Sequence, residues 1–167
     1  FKKFDQYPSP RVIKTHAPFH MLMGFGPNVS REALEATGAK VVYVARNAKD
    51  AALSYFYMKA PTTGRRRMPM DAWVALYLSG AVGNGSPAEH FVEWCNAAAS
   101  DASILFLTYE DLKRDTKTTV RRLASHLGFV DMTDEEIDKV SAAASFSAMA
   151  PKDRRRRRTR SRHASRY

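Results

Sequence analysis

Residues 40–55, Lys-Val-Val-Tyr-Val-Ala-Arg-Asn-Ala-Lys-Asp-Ala-Ala-Leu-Ser-Tyr, constrain the fold more than any other stretch of this chain. Val41, Val42, Val44 and Ala45, with Tyr43 among them, read as a strand covered on both faces and ending at Arg46. Asn47 suits the N-cap of a following helix, and Asp50 favours that helix's positive end. A strand that feeds directly into a helix start, with an arginine at the junction, makes an anion site. Unpaired backbone N–H groups and a guanidinium fork converge there. Ser54 follows about two turns on and can reach the same face as a hydroxyl donor. The alternative is an ordinary strand–helix unit whose Arg46 is surface charge.

Two further segments repeat the pattern. Residues 11–18 read as a short apolar strand over 11–14, running out through Lys14, Thr15 and His16. Residues 104–108 read as a third strand, passing at Tyr109 into a helix. Helices are expected at 30–37, 48–59, 70–79, 87–99, 110–127 and 134–144, with a polar break over 61–69. Ser30 can cap the first helix, and Thr133-Asp-Glu-Glu136 is a capping-box signature for the last. Such alternation predicts an α/β domain with a parallel sheet. Ligands of such sheets sit beyond the carboxyl ends of the strands, where Lys14, His16, Arg46 and Tyr109 fall.

With 167 residues and 18.8 kDa, the chain suffices for one domain around one core. Its 44% hydrophobic content argues against overall disorder. No apolar run reaches the ~18 residues of a membrane span, and no secretory apolar region opens the chain. Cys95, the single cysteine, rules out an internal disulfide framework and fits a reducing, cytoplasmic setting. It has no Cys or His cluster around it, so no metal is expected, and helix packing beside Trp94 suits it better than nucleophilic chemistry. The net charge of +10 is concentrated in residues 152–167, which hold nine of the 27 basic residues and one of the 17 acids. Residues 1–151 are therefore nearly balanced. The arginine-rich remainder, 152–167, lacks apolar periodicity and is expected to be a disordered tail.

Four ordered blocks resemble the cytosolic sulfotransferase family. They are Lys14-Thr15-His16-Ala17-Pro18; Tyr43-Val-Ala-Arg-Asn-Ala-Lys-Asp50 with Ser54-Tyr55; Tyr109-Glu110-Asp111; and Ser145-Phe146 with Met149. The resemblance covers roughly residues 4–152. It implies a parallel-sheet, P-loop-like α/β domain over residues 1–151. The implied reaction moves a sulfuryl group from 3′-phosphoadenosine 5′-phosphosulfate (PAPS) to a small alcohol, phenol or amine, without a metal.

The resemblance also implies roles. His16 corresponds to the family's catalytic base, a task that suits an imidazole near neutral pH. Lys14 corresponds to a transfer-site lysine; on an extended strand, residues 14 and 16 face one side, where an ammonium can neutralise developing charge. Arg46 and Ser54 match the pair that holds the 3′-phosphate, and a planar fork with a hydroxyl suits a phosphate dianion. Tyr109 corresponds to a residue near the adenine and Phe146 to an aromatic packed on it. Ala144 stands where relatives often carry threonine. Phe19, Met21, Met23 and Phe25 form a short apolar loop that either lines an acceptor pocket or packs in the core. His20, His90, His126 and His163 have no such context and are read as structural or solvent-exposed.

Two family elements do not occur in the sequence. One is the Tyr-Pro-Lys-Ser-Gly-Thr-Thr-Trp type of phosphosulfate loop upstream; the other is the late Arg-Lys-Gly segment. The expectation is an incomplete sulfotransferase domain retaining the 3′-phosphate half of the site, and the gaps weigh against activity more than against ancestry. Alternatives are a nucleic-acid-associated protein acting through the arginine tail, or another phosphate-handling α/β transferase.

Overall fold

The structure, a computed structural model, describes residues 10–24, 38–59, 68–83, 85–145 and 147–148. Two parallel strands, β1 (Val41–Ala45) and β2 (Ile104–Thr108), pair in register from Val41 opposite Ile104 to Ala45 opposite Thr108. The helices α1 (Phe19–Gly24), α2 (Ala48–Lys59), α3 (Met70–Leu78), α4 (Pro87–Ser100), α5 (Tyr109–Arg114), α6 (Thr116–Leu127) and α7 (Asp134–Ala143) complete the described elements. Parallel pairing needs a crossover, and α2, α3 and α4 supply it between β1 and β2. Both strands therefore end on the same side, each running into a helix.

The helix boundaries follow local chemistry. Asn47 Oδ1 accepts from the Lys49 amide at 3.0 Å, so α2 begins where a capping asparagine dictates. Ser86 caps α4, with Pro87 just inside its start. Thr133 and Glu136 form the reciprocal capping box of α7, as its sequence predicts. Gly128 closes α6 at φ 91°, a left-handed conformation that glycine adopts without penalty. At Gly80 the backbone must also turn left-handed, and an added Cβ would lie 2.6 Å from the Ser86 nitrogen.

Four sequence expectations need correction. Residues 11–14 form no strand: among the described residues nothing pairs with them, and Val12 is 96% and Ile13 58% exposed. Apolar alternation marks a capacity for pairing, but a partner strand is required to realise it. The expected loop over residues 19–24 is instead the short helix α1, with the Met21 and Leu22 amides bonded to the Pro18 carbonyl. The expected helix over 110–127 divides at Asp115, whose non-helical backbone (φ -141°, ψ 83°) ends α5 while its carboxylate accepts from the Thr118 amide to start α6. Finally, β1 is not covered on both faces, since Val44 is 51% exposed. The helix expected at 30–37 with its Ser30 cap, most of the 61–69 break, Phe25, Phe146 and the tail lie outside the described residues.

Among the described residues, two clusters of buried side chains hold the strands and the late helices. Trp94, Ala97 and Ile104 form one, joined by Phe19, Leu22, Val41, Tyr43 and Ala98, so that α1 and α4 cover one face of the strand pair. Val120, Ala124 and Ile137 form the other, with Met132 beside them, and lock α6 against α7. Cys95 is free and half-buried on α4, next to Trp94.

Candidate active site at the strand ends

Because Ala45 pairs with Thr108, the next residues of the two strands emerge side by side. The Arg46 guanidinium carbon lies 4.8 Å from the centre of the Tyr109 ring, a cation–π contact. One residue further on, the Asn47 amide donates to Glu110 Oε1 at 2.9 Å. Residues 46 and 47 are thus pinned to 109 and 110 in turn. Thr108 Oγ1 accepts from the Asp111 amide at 3.0 Å, capping α5 and fixing Tyr109 in its first turn. Arg46 is exposed and forms no ion pair among the described residues. Ser54, also exposed, lies seven residues beyond Asn47 on α2, about 10 Å further along the axis.

The helix start is less open than the sequence suggests. The amides of Asn47 and Lys49 are taken by the Glu110 carboxylate and the Asn47 side chain. The groups left open at this end are the exposed Arg46 fork and the Ser54 hydroxyl rather than these backbone donors. A guanidinium with free donor edges and a nearby aromatic face fits a phosphate next to a purine.

Lys14 and His16 form the second group. Both side chains are exposed, in the segment leading into α1. That segment is held through its backbone by α4: Trp94 Nε1 donates to the Ala17 carbonyl at 3.3 Å, and His90 Nε2 lies 3.4 Å from the His16 carbonyl. Thr15 Oγ1 accepts from the Ala17 amide, and Pro18 is buried. Further along, Glu93 receives the His20 backbone amide and its ring Nδ1, and the hydrogen bond from that ring holds the Glu93 carboxyl below the usual carboxylate range.

Tyr43 connects the two groups. It sits on β1 three residues before Arg46, stacks on Trp94 with ring centres 5.0 Å apart, and bonds His90 Nδ1 at 3.2 Å. Burial pushes its hydroxyl up to about 12, with smaller contributions from Cys95 and Tyr77. His126 is structural too, its Nε2 donating to the Val41 carbonyl at 3.1 Å. Sequence reading did not assign Tyr43, His90 or Glu110 to the site. The contact between His90 and His16 spans 74 residues, so no local pattern signals it. Glu110 was visible only as part of the Tyr-Glu-Asp block.

Two parallel strands whose ends present an exposed arginine and an aromatic face, with helices packed against them, define an α/β domain of the kind whose ligands sit beyond the strand ends. A family model described as the sulfotransferase domain matches residues 1–164, and the chain belongs to that family. Among curated relatives it is similar to sulfotransferase 1B1 of Canis lupus familiaris, 31% identical over 153 residues. That match covers 89% of this chain and 47% of the relative. Sulfotransferase 1A1 of Bos taurus is 33% identical, with 85% and 45% covered. The chain thus spans about half the length of the curated relatives it matches.

Among solved structures, mouse sulfotransferase SULT7A1 complexed with PAP superposes with a TM-score of 0.71 at 27% identity, covering 89% of this chain and 50% of that one. Retinol dehydratase in complex with androsterone and inactive cofactor PAP gives a TM-score of 0.73 at 23% identity, covering 89% and 41%, a likeness of fold. No helix among the described residues is long and apolar enough to cross a membrane.

Proposed function

We propose that this chain carries the 3′-phosphate and proton-transfer portion of a PAPS-dependent sulfotransferase acting on a small alcohol, phenol or amine in the cytoplasm. The observation that carries the reading is the exposed Arg46 against Tyr109 at the shared end of β1 and β2, in a chain matched by the sulfotransferase domain. The family match weighs against a nucleic-acid role for the tail and against another phosphate-handling transferase. The domain boundary at residue 151 belongs to this reading and follows the change of charge.

When bound, PAPS supplies an activated sulfuryl group on a phosphate leaving group. Arg46 and Ser54 bind the 3′-phosphate, and Tyr109, with Phe146, flanks the adenine. His16 takes the acceptor's proton as the new bond to sulfur forms and the bond from sulfur to the bridging phosphate oxygen breaks. Lys14 offsets negative charge as it develops during transfer.

Calorimetry with 3′-phosphoadenosine 5′-phosphate, beside a nucleotide lacking the 3′-phosphate, tests the binding half. Saturable binding of the first, lost selectively in Arg46→Ala, is expected. A folded chain that treats both nucleotides alike, before and after the substitution, overturns the Arg46 assignment. For the proton-transfer half, His16→Ala is expected to remove turnover with nucleotide binding nearly intact; equal loss of both identifies a structural histidine instead.

A further inference from the structure

One stripe of α4 grips the segment that presents the candidate base. His90, Glu93 and Trp94 occupy positions i, i+3 and i+4 of that helix. They meet, respectively, the His16 carbonyl, the His20 amide and ring, and the Ala17 carbonyl. The His16 imidazole itself is exposed, in a segment without strand partners among the described residues. Its position is therefore set by these anchors.

His90 differs from the other two anchors because its ring also hydrogen-bonds a side chain of the sheet. A carbonyl oxygen only accepts, so Nε2 of His90 carries the proton that faces His16. In the neutral ring this leaves Nδ1 to accept from the Tyr43 hydroxyl at 3.2 Å. The Tyr43 and His90 rings lie 5.6 Å apart, and the flat stack of Tyr43 on Trp94 keeps the phenol from swinging away. A continuous path runs from β1, the strand that ends at Arg46, through Tyr43 and His90 to the backbone of His16.

We propose that His90 is a positioning residue: by bridging the Tyr43 hydroxyl and the His16 carbonyl, it fixes His16 relative to the strand end that carries Arg46. The catalytic meaning of this inference rests on His16 being the base. A displacement of about 1 Å at a reacting group is enough to cost about 100-fold in rate.

The test uses NMR on the full chain, with the His16 ring signals assigned by their loss in His16→Gln. In His90→Leu, backbone order parameters at residues 16 and 17 are expected to fall below about 0.6. The His16 ring signals should shift while the β2 amides stay in place. In His90→Gln the side-chain amide can donate to the same carbonyl, so both readouts should return towards wild type. Tyr43→Phe keeps the stack on Trp94 but removes the hydroxyl that orients His90, and it should disturb His16 in the same sense. Unchanged His16 signals in His90→Leu, or equal disturbance by Leu and Gln, overturn the proposal. If His90→Leu fails to fold, unchanged His16 signals in Tyr43→Phe overturn it. Sulfuryl transfer measured on His16→Ala separates the two claims. Undiminished transfer removes the base assignment and leaves the anchoring result standing. Lost transfer with His16 signals indifferent to His90 does the reverse.

Discussion

Arg46 has the geometry of a residue waiting for an anion. Its guanidinium rests on the Tyr109 face, which leaves its donor edges available, and no described carboxylate pairs with it. A lysine at this position would keep the charge and lose both the flat stack and the bidentate fork. Arg46→Lys is expected to weaken binding of 3′-phosphoadenosine 5′-phosphate by about tenfold, roughly 1.4 kcal/mol, in a calorimetric titration. Binding as tight as wild type would show that charge alone matters there. Glu110 works in the opposite direction: its carboxylate holds the Asn47 amide and brings negative charge to the same helix start. In Glu110→Gln the amide oxygen still accepts from Asn47 while the charge is gone. Tighter nucleotide binding is expected, with the gain shrinking as salt screens the field; weaker binding would mean that the ionised carboxylate itself organises the site.

At the scale of elements, local chemistry was well legible and long-range partnership was not. The strand β1, the Asn47 cap and helix α2 follow directly from a β-branched run, a capping residue and an acidic first turn. The Thr133 capping box was equally plain. Residues 11–14 carry the same kind of apolar pattern as β1, yet pair with nothing described, because a pattern cannot report whether a neighbour exists. Asp115 was readable in principle, since aspartate three residues before Thr118 is a capping arrangement, but the helical pattern on either side concealed it. Asp115→Ala is expected to lower stability in urea unfolding, the usual direction for a removed N-cap. No change would mean that the tertiary packing of α5 on α6 sets the break. Ser141 presents the converse case: its buried hydroxyl on α7 has no hydrogen-bond partner among the described residues. Ser141→Ala removes an unsatisfied group and improves helix propensity, so stabilisation of about 1 kcal/mol is expected in the same assay. Destabilisation would show that the hydroxyl has a partner in solution.

Across the whole molecule, acid sensitivity should be concentrated in the α6–α7 pair. Asp115 is held below the ordinary carboxylate range chiefly by the Thr118 amide, Asp134 by the Arg121 guanidinium, and Glu136 by the Thr133 amide. Glu93, held low by the His20 ring, is the counterpart on α4. Each of these groups binds a proton less readily when folded than when unfolded. Their stabilisation is therefore complete above the unfolded carboxylate range and is lost as pH falls through the lower folded values. All four are solvent-exposed or nearly so, which keeps each individual effect small, and the three on α6 and α7 act on one helix pair. The urea midpoint of the full chain is expected to fall between about pH 5 and about pH 2. Asp115→Asn separates charge from capping, because asparagine caps as well as aspartate but does not titrate. This variant should match wild type near the acid end, lie below it at neutral pH, and show a shallower dependence between. Identical profiles for the two chains would remove Asp115 from the acid response and leave it to the remaining carboxylates.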